Sequence, residues 1–213
     1  SPPCAPRMAL SEAEILATVL RLPKGHLLRT YIAYARKRTD APLAFHLGVG
    51  LSMLQATLPF DLEIETQGKR RKVNIWSLGV GRAGRSRKSA AVELGEAILI
   101  DAECTTLGPD PESPEGLVDS LKSLSTQLVV YSEFGDFLER TAADGYMRPM
   151  RTMMMKASDG RKLTRRLANK KLIEAKSPNL SMLAGVNQTL LDQHVTRMDF
   201  TNGWMSRWLV LCA

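Results

Sequence analysis

Four apolar, β-prone runs separated by helical text constrain this chain more than any other feature. They are KVNIWSLGV, QLVVYSEF, NLSMLAGVN and WLVLCA, at residues 72–80, 127–134, 179–187 and 208–213. Strands that alternate with helices predict an α/β fold around a mainly parallel sheet. A length of 213 residues suits one domain, or one and a half, with a real core.

Helical text precedes the strands. Ser11 can cap a helix through AEILATVLRL, and Glu14 completes a capping box. Pro23 and Gly25 break it, a second helix covers His26 to Arg38, and a third follows Pro42. That third stretch, LAFHLGVGLSMLQATL, is apolar almost all round and should be buried. The expected organisation is a helical segment over residues 1–58 and a core over 59–213, with a proline-rich unstructured lead at 1–10. DLEIET and KVNIWSLGV, joined by QGKR, predict a hairpin. Ser113 and Pro114 open a helix, and helical text runs from Gly135 to about Ala157. TLLDQHVTRMDF reads as short helix and loop.

Lys and Arg number 29 against 22 Asp and Glu, a formal charge of +7. That favours a polyanionic partner such as nucleic acid or nucleotide, or an anionic membrane surface. No apolar run reaches the 18 residues a membrane helix needs, and SPPCAPRMALSEAE has no apolar run like that of a secretory signal. Cys4, Cys104 and Cys212 form no CxxC pair, which argues against a disulfide framework and a zinc ribbon. His26, His46 and His194 lack metal-ligand spacing and read as surface or partly buried residues. A reduced, cytoplasmic location is expected.

GVGRAGRSRKSAA is the most informative stretch. A strand, a glycine-bearing loop and a helix in that order can present backbone N–H groups and a helix N-terminus to phosphate. Lys88 would reach the terminal phosphates, and the Ser89 hydroxyl would ligate magnesium. The standard spacing G-x-x-x-x-G-K-[ST] is not met: the glycines are Gly81 and Gly84, while Arg82 and Arg87 occupy the usual glycine places. Either the loop is one residue longer or Arg87 takes the lysine's place. Arg82, Arg85, Arg87 and Lys88, with Ser86 among them, suit an anion in either register, and a basic turn that touches nothing is the alternative.

A phosphate-loop ATPase also needs acidic residues at the end of a second strand, one for magnesium and one for the attacking water. LVVYSEF ends in Ser132 and Glu133: Glu133 is placed as the base, and Ser132 stands where a magnesium-binding Asp is expected. NLSMLAGVNQT ends a third strand in Asn187, a candidate γ-phosphate sensor or a helix cap. Arg207, just before the last strand, could project into a neighbouring subunit's nucleotide.

These pieces, in this order, resemble the P-loop ATPase domain of phage, plasmid and mobile-element primase–helicase proteins. The likeness spans residues 26–213 and is carried by PLAFH, the hairpin leading to RKS, SPEGL, LVVYSE, LSMLAG and NGWMSRW. It implies a RecA- or AAA+-like core, oligomeric rings, ATP with Mg2+, and motor work on DNA, with single strands as the expected substrate. A catalytically degenerate relative, acting as an assembly or nucleic-acid-binding subunit, is the rival reading, and a plain nucleic-acid-binding module is another.

RKLTRRLANKKLIEAK carries seven Lys or Arg and one acid, with a turn expected at Ala168-Asn169. In helicases of the resembled kind a hairpin near this point grips DNA in the ring pore. Arg161, Lys162, Arg165, Arg166, Lys170 and Lys171 are the candidates, with a solvated charged edge as the alternative. YMRPMRTMMMKA holds five methionines and reads as core or subunit packing, with Pro149 kinking or starting its helix.

Overall fold

The computed structural model describes residues 11–59, 62–84, 86–142, 145–167, 169 and 171–212. The expected lead at residues 1–10 lies outside them. Helix α1 (Glu12–Leu20) starts with the anticipated capping box: the Ser11 amide donates to Glu14 at 2.7 Å, and the Glu14 amide donates to the Ser11 hydroxyl at 3.3 Å. In α2 (Leu27–Ala35) the cap is His26, whose ring nitrogen accepts from the Leu28 amide at 3.2 Å. Ten of the fourteen residues of α3 (Leu43–Ala56) are buried, as its uniformly apolar text requires.

The first hairpin differs from the expected one. β1 (Glu63–Thr66) pairs antiparallel with β2 (Lys69–Lys72), not with the apolar run that follows. Its turn is Gln67-Gly68, with φ of 52° and 71°, the left-handed pair that a two-residue hairpin favours. Charge explains the split. The basic strand lies opposite Glu63 and Glu65 and stays at the surface, while the six residues of β3 (Trp76–Gly81) are all buried.

Beyond the phosphate-loop candidate come α4 (Lys88–Asp101) and α5 (Pro114–Ser123), where the Ser113 hydroxyl accepts from the Gly116 amide at 2.9 Å. β4 (Thr126–Tyr131) leads into α6 (Phe134–Ala142) and α7 (Met150–Ser158). The single helical run expected there is two helices, because Pro149 begins a new one at its N-cap. β5 (Leu163–Arg166) and β6 (Leu172–Ala175) form the basic hairpin; of its expected turn residues, Asn169 lies in a turn and Ala168 is outside the described residues. The chain finishes through β7 (Asn179–Asn187), α8 (Gln188–His194), α9 (Arg197–Thr201), a 3-10 turn at Met205–Arg207 and β8 (Trp208–Cys212).

β4, β7, β3 and β8 form, in that order, one all-parallel sheet. The fold is therefore α/β with a parallel sheet and helices on both faces, as the strand runs imply. Along β7, Leu180, Met182, Ala184 and Val186 join α5, α6, α7 and the basic hairpin in one core, whereas Leu183 joins α1–α4 in the other. The first core holds Met150, Met153 and Met154, as well as Trp76, Trp204 and Trp208 with ring centroids 5.1–5.9 Å apart. On its other face β3 offers only Ser77, Gly79 and Gly81 to α3. The Ser52 hydroxyl donates to Ser77 at 3.2 Å, and a Cβ on Gly79 would meet the Phe45 ring at 3.2 Å. His46 is fully buried on α3, beside the Tyr31 hydroxyl at 3.0 Å, rather than at or near the surface.

Candidate functional site

In a parallel sheet every strand finishes at the same edge, and ligands gather there. Gly81 ends β3 directly opposite Asn187, which ends β7, and β4 finishes beside β7, with Tyr131 opposite Ala184. Three of the sequence candidates thus come to one edge: the 81–89 loop, the Ser132-Glu133 pair and Asn187.

The loop has a definite internal structure. The Ser86 hydroxyl donates to the Arg82 carbonyl at 2.9 Å, folding the loop back on itself. A Cβ at Gly81 would collide with the Ser86 side chain, so this turn requires glycine. Gly84 has φ of 71°, and Arg87, at the N-cap of α4, has φ of 51°. Arginine therefore adopts the left-handed backbone at the place where the standard loop has glycine. Arg85 lies outside the described residues.

The two registers left open by the spacing differ in geometry. Lys88 is the first residue of α4 and only 7% exposed, whereas Arg87 turns outward and its Nε lies 3.3 Å from Asp40. Lys88 lies against β7: a Cβ on Gly185 would touch Lys88 Cγ at 3.7 Å and the Ser132 carbonyl at 3.3 Å. A lysine at the foot of a helix adds its charge to the helix's positive end. The Arg87–Asp40 pair is well exposed, with side chains 60% and 75% accessible, so it restrains the loop only weakly.

The Ser89 hydroxyl donates to Glu133 Oε1 at 3.2 Å, joining the first turn of α4 to the end of β4. Glu133 is exposed, and Ser132 is half-buried. Asn187 caps α8, its side-chain oxygen accepting from the Thr189 amide at 3.1 Å. One group missed by the sequence reading adjoins this edge. Asp110, in the loop before α5, has its carboxyl raised above the ordinary range by burial, with the Tyr131 hydroxyl and the Arg140 charge acting in the opposite direction. Pro109 and Pro111 flank it, but nothing in the local pattern tells that the loop returns to the end of β4.

Arg207 and the basic hairpin lie at the other edge. Trp208 pairs with Trp76, the first residue of β3, and Asn179 with Thr126, the first residue of β4. Six strand residues of about 3.3 Å each separate the two edges by roughly 20 Å. Arg207 is held by Asp159, its Nη2 lying 2.9 Å from both carboxylate oxygens, and does not reach this chain's own loop. Acids also engage half of the hairpin candidates: Lys162 meets Glu174 at 2.6 Å, Arg165 meets Glu115 at 2.8 Å, and Arg161 lies 3.8 Å from Asp159. Arg166 and Lys171 are exposed with no ion-pair partner among the described residues, and Lys170 lies outside them.

Among the described residues no helix is long and apolar enough to cross a membrane, and no group of three His, Cys, Asp or Glu forms a metal centre. No protein-family model matches the sequence. A search of curated proteins also finds no match.

Proposed function

We propose that this chain is a P-loop ATPase domain of the primase–helicase kind, binding ATP in the 81–89 loop and working on DNA as a ring of identical subunits. The observation that carries the reading is the Ser89–Glu133 hydrogen bond at 3.2 Å, made at the sheet edge where Asn187 also ends its strand. A hydroxyl on the first helical turn, an acid on a second strand and a polar residue on the strand between them are the groups phosphoryl transfer calls for.

In this reading Lys88 and the amides at the foot of α4 hold the β- and γ-phosphates. Mg2+ takes oxygen ligands, binds through one or two carboxylates with substrate phosphates, and keeps several waters. Ser89 and Ser132 are the oxygen donors that would hold it, and Glu133 is kept for the attacking water. When bound, the ion would offset phosphate charge. Glu133 accepts a proton from water as the water oxygen bonds to the γ-phosphorus. The bond to the β–γ bridging oxygen breaks, leaving ADP and inorganic phosphate. Asn187 would sense the γ-phosphate, and Arg207 could act only on a neighbouring copy after leaving Asp159.

A second reading is a degenerate relative that binds nucleotide without turnover. Two features favour it: Ser132 in place of an acid, and Arg87 at the left-handed loop position, paired with Asp40. The test is ATP binding and hydrolysis by the full chain, with and without single-stranded DNA, beside Glu133→Gln and Lys88→Ala/Arg87→Ala. DNA-stimulated turnover lost in Glu133→Gln supports the motor. Binding without turnover selects the degenerate relative. ATP affinity that survives intact in the double variant refutes both.

A further inference from the structure

The first hairpin does more than lead toward the phosphate loop. In the fold its basic strand forms one wall of a groove of about 970 Å³ at the starting edge of the sheet. Arg70, Arg71 and Lys72 stand on that wall, and Arg161 and Arg207 face them from the Ser158–Arg161 turn and the end of the 3-10 turn. Glu63 and Asp159 are the acids of the lining, so five cations meet two carboxylates.

The floor is firmly built. The Asn74 amide donates to the Ser158 carbonyl at 2.7 Å and to Asn179 Oδ1 at 3.2 Å, and the Asn179 amide donates to the Val73 carbonyl at 3.1 Å. Lys72 Nζ donates to the Ser177 carbonyl at 3.1 Å, tying the hairpin to the segment before β7. Arg70 and Arg71 are exposed and have no ion-pair partner among the described residues. Arg207 already holds an oxyanion at the groove: its Nη2 lies 2.9 Å from both oxygens of the Asp159 carboxylate, while Nη1 donates to the Gly203 carbonyl at 2.8 Å.

We infer that this groove binds the phosphodiester backbone of single-stranded nucleic acid, with Arg70 and Arg71 as its two free contacts. The lining selects this partner. It has a net positive charge, its apolar side chains are only Ile64 and Val73, and no aromatic ring lines it. A peptide would need pockets for its side chains, and base stacking would need rings. A charged strand with bases turned away needs neither. The site is separate from the nucleotide loop and from the β5–β6 turn, and it does not depend on the ATPase reading.

The experiment measures fluorescence anisotropy of a labelled 20-nucleotide oligothymidine on the full chain, without nucleotide, across salt concentrations. Each phosphate neutralised on a single strand contributes about 0.7 to the slope of log affinity against log salt. Arg70→Ala/Arg71→Ala should lower that slope by about 1.4 and weaken binding. The melting temperature reports whether the variant folds, and Arg70→Lys/Arg71→Lys should keep the parental slope. Lys37→Ala, at an exposed lysine placed in neither site, should bind the oligomer as the parent does, and because the assay contains no nucleotide a failure here is distinct from failure of the nucleotide site. An unchanged slope in the folded alanine variant overturns the inference. So does polyglutamate that displaces the oligomer at equal charge, which would make the partner an acidic protein.

Discussion

Arg151 on α7 is buried and donates four hydrogen bonds. Its Nε reaches Thr141 Oγ1 at 2.9 Å, Nη1 reaches Asp199 Oδ1 at 2.8 Å, and Nη2 reaches the carbonyls of Leu138 at 3.0 Å and His194 at 3.3 Å. The other Asp199 oxygen accepts from the Thr196 amide and hydroxyl at 2.9 and 3.1 Å, capping α9. One guanidinium therefore ties α6 and α7 to the end of α8, the helix that Asn187 begins. With both side chains about one-tenth exposed, replacing Arg151 by Met strands a buried carboxylate and three oxygen acceptors. Breaking such a pair from one side costs about 3–5 kcal/mol. For a chain of this size each kcal/mol moves the melting temperature by about 2–4 °C, so the expected fall is roughly 6–20 °C. Urea denaturation and calorimetry measure it. Because the loss is a stranded charge, Arg151→Met/Asp199→Leu should recover a large part of it. A single variant that loses less than about 1 kcal/mol would refute the reasoning, as would a double variant no better than the single.

Two further predictions concern the other face of the sheet. Burial lowers the pKa of His46 below its ordinary 6.5, so the unfolded chain binds the proton more readily than the folded one. Stability should be complete above that value and decline as pH falls from it toward the lowered folded pKa. Melting temperature against pH should show that decline in the parent and a flatter curve in His46→Gln, and equal slopes would refute it. Gly81→Ala should cost about 1–3 kcal/mol through collision with Ser86, with partial recovery in Gly81→Ala/Ser86→Gly; a neutral single variant in a denaturant titration would refute the steric argument.

Local signals carried most of the secondary structure. The Ser11–Glu14 capping box, the Ser113 cap with Pro114 behind it and the uniformly apolar α3 each state their own conformation, because the responsible contacts lie within a few residues. The first hairpin departs from its local pattern where two preferences compete: KVNIWSLGV is β-prone throughout, and charge and burial together separate the surface strand ending at Lys72 from the core strand beginning at Trp76. Pro149 left two outcomes open locally, a kink or a start, and packing chose the start.

A parallel α/β sheet, with a basic, glycine-bearing loop between a strand and a helix, follows from local patterns of residues along the chain. Hydrophobic period, caps and turn residues act over short distances and are written locally. The pairings belong to the folded chain: Ser89 meets Glu133, Arg87 leaves the loop for Asp40, and Arg207 shares a groove at the far edge with Arg70, Arg71 and Lys72. Those pairs are separated by tens of residues or more, and the side-chain types are equally compatible with solvent. The order of strands in the sheet, with the packing of helices and hairpins against it, brings them together.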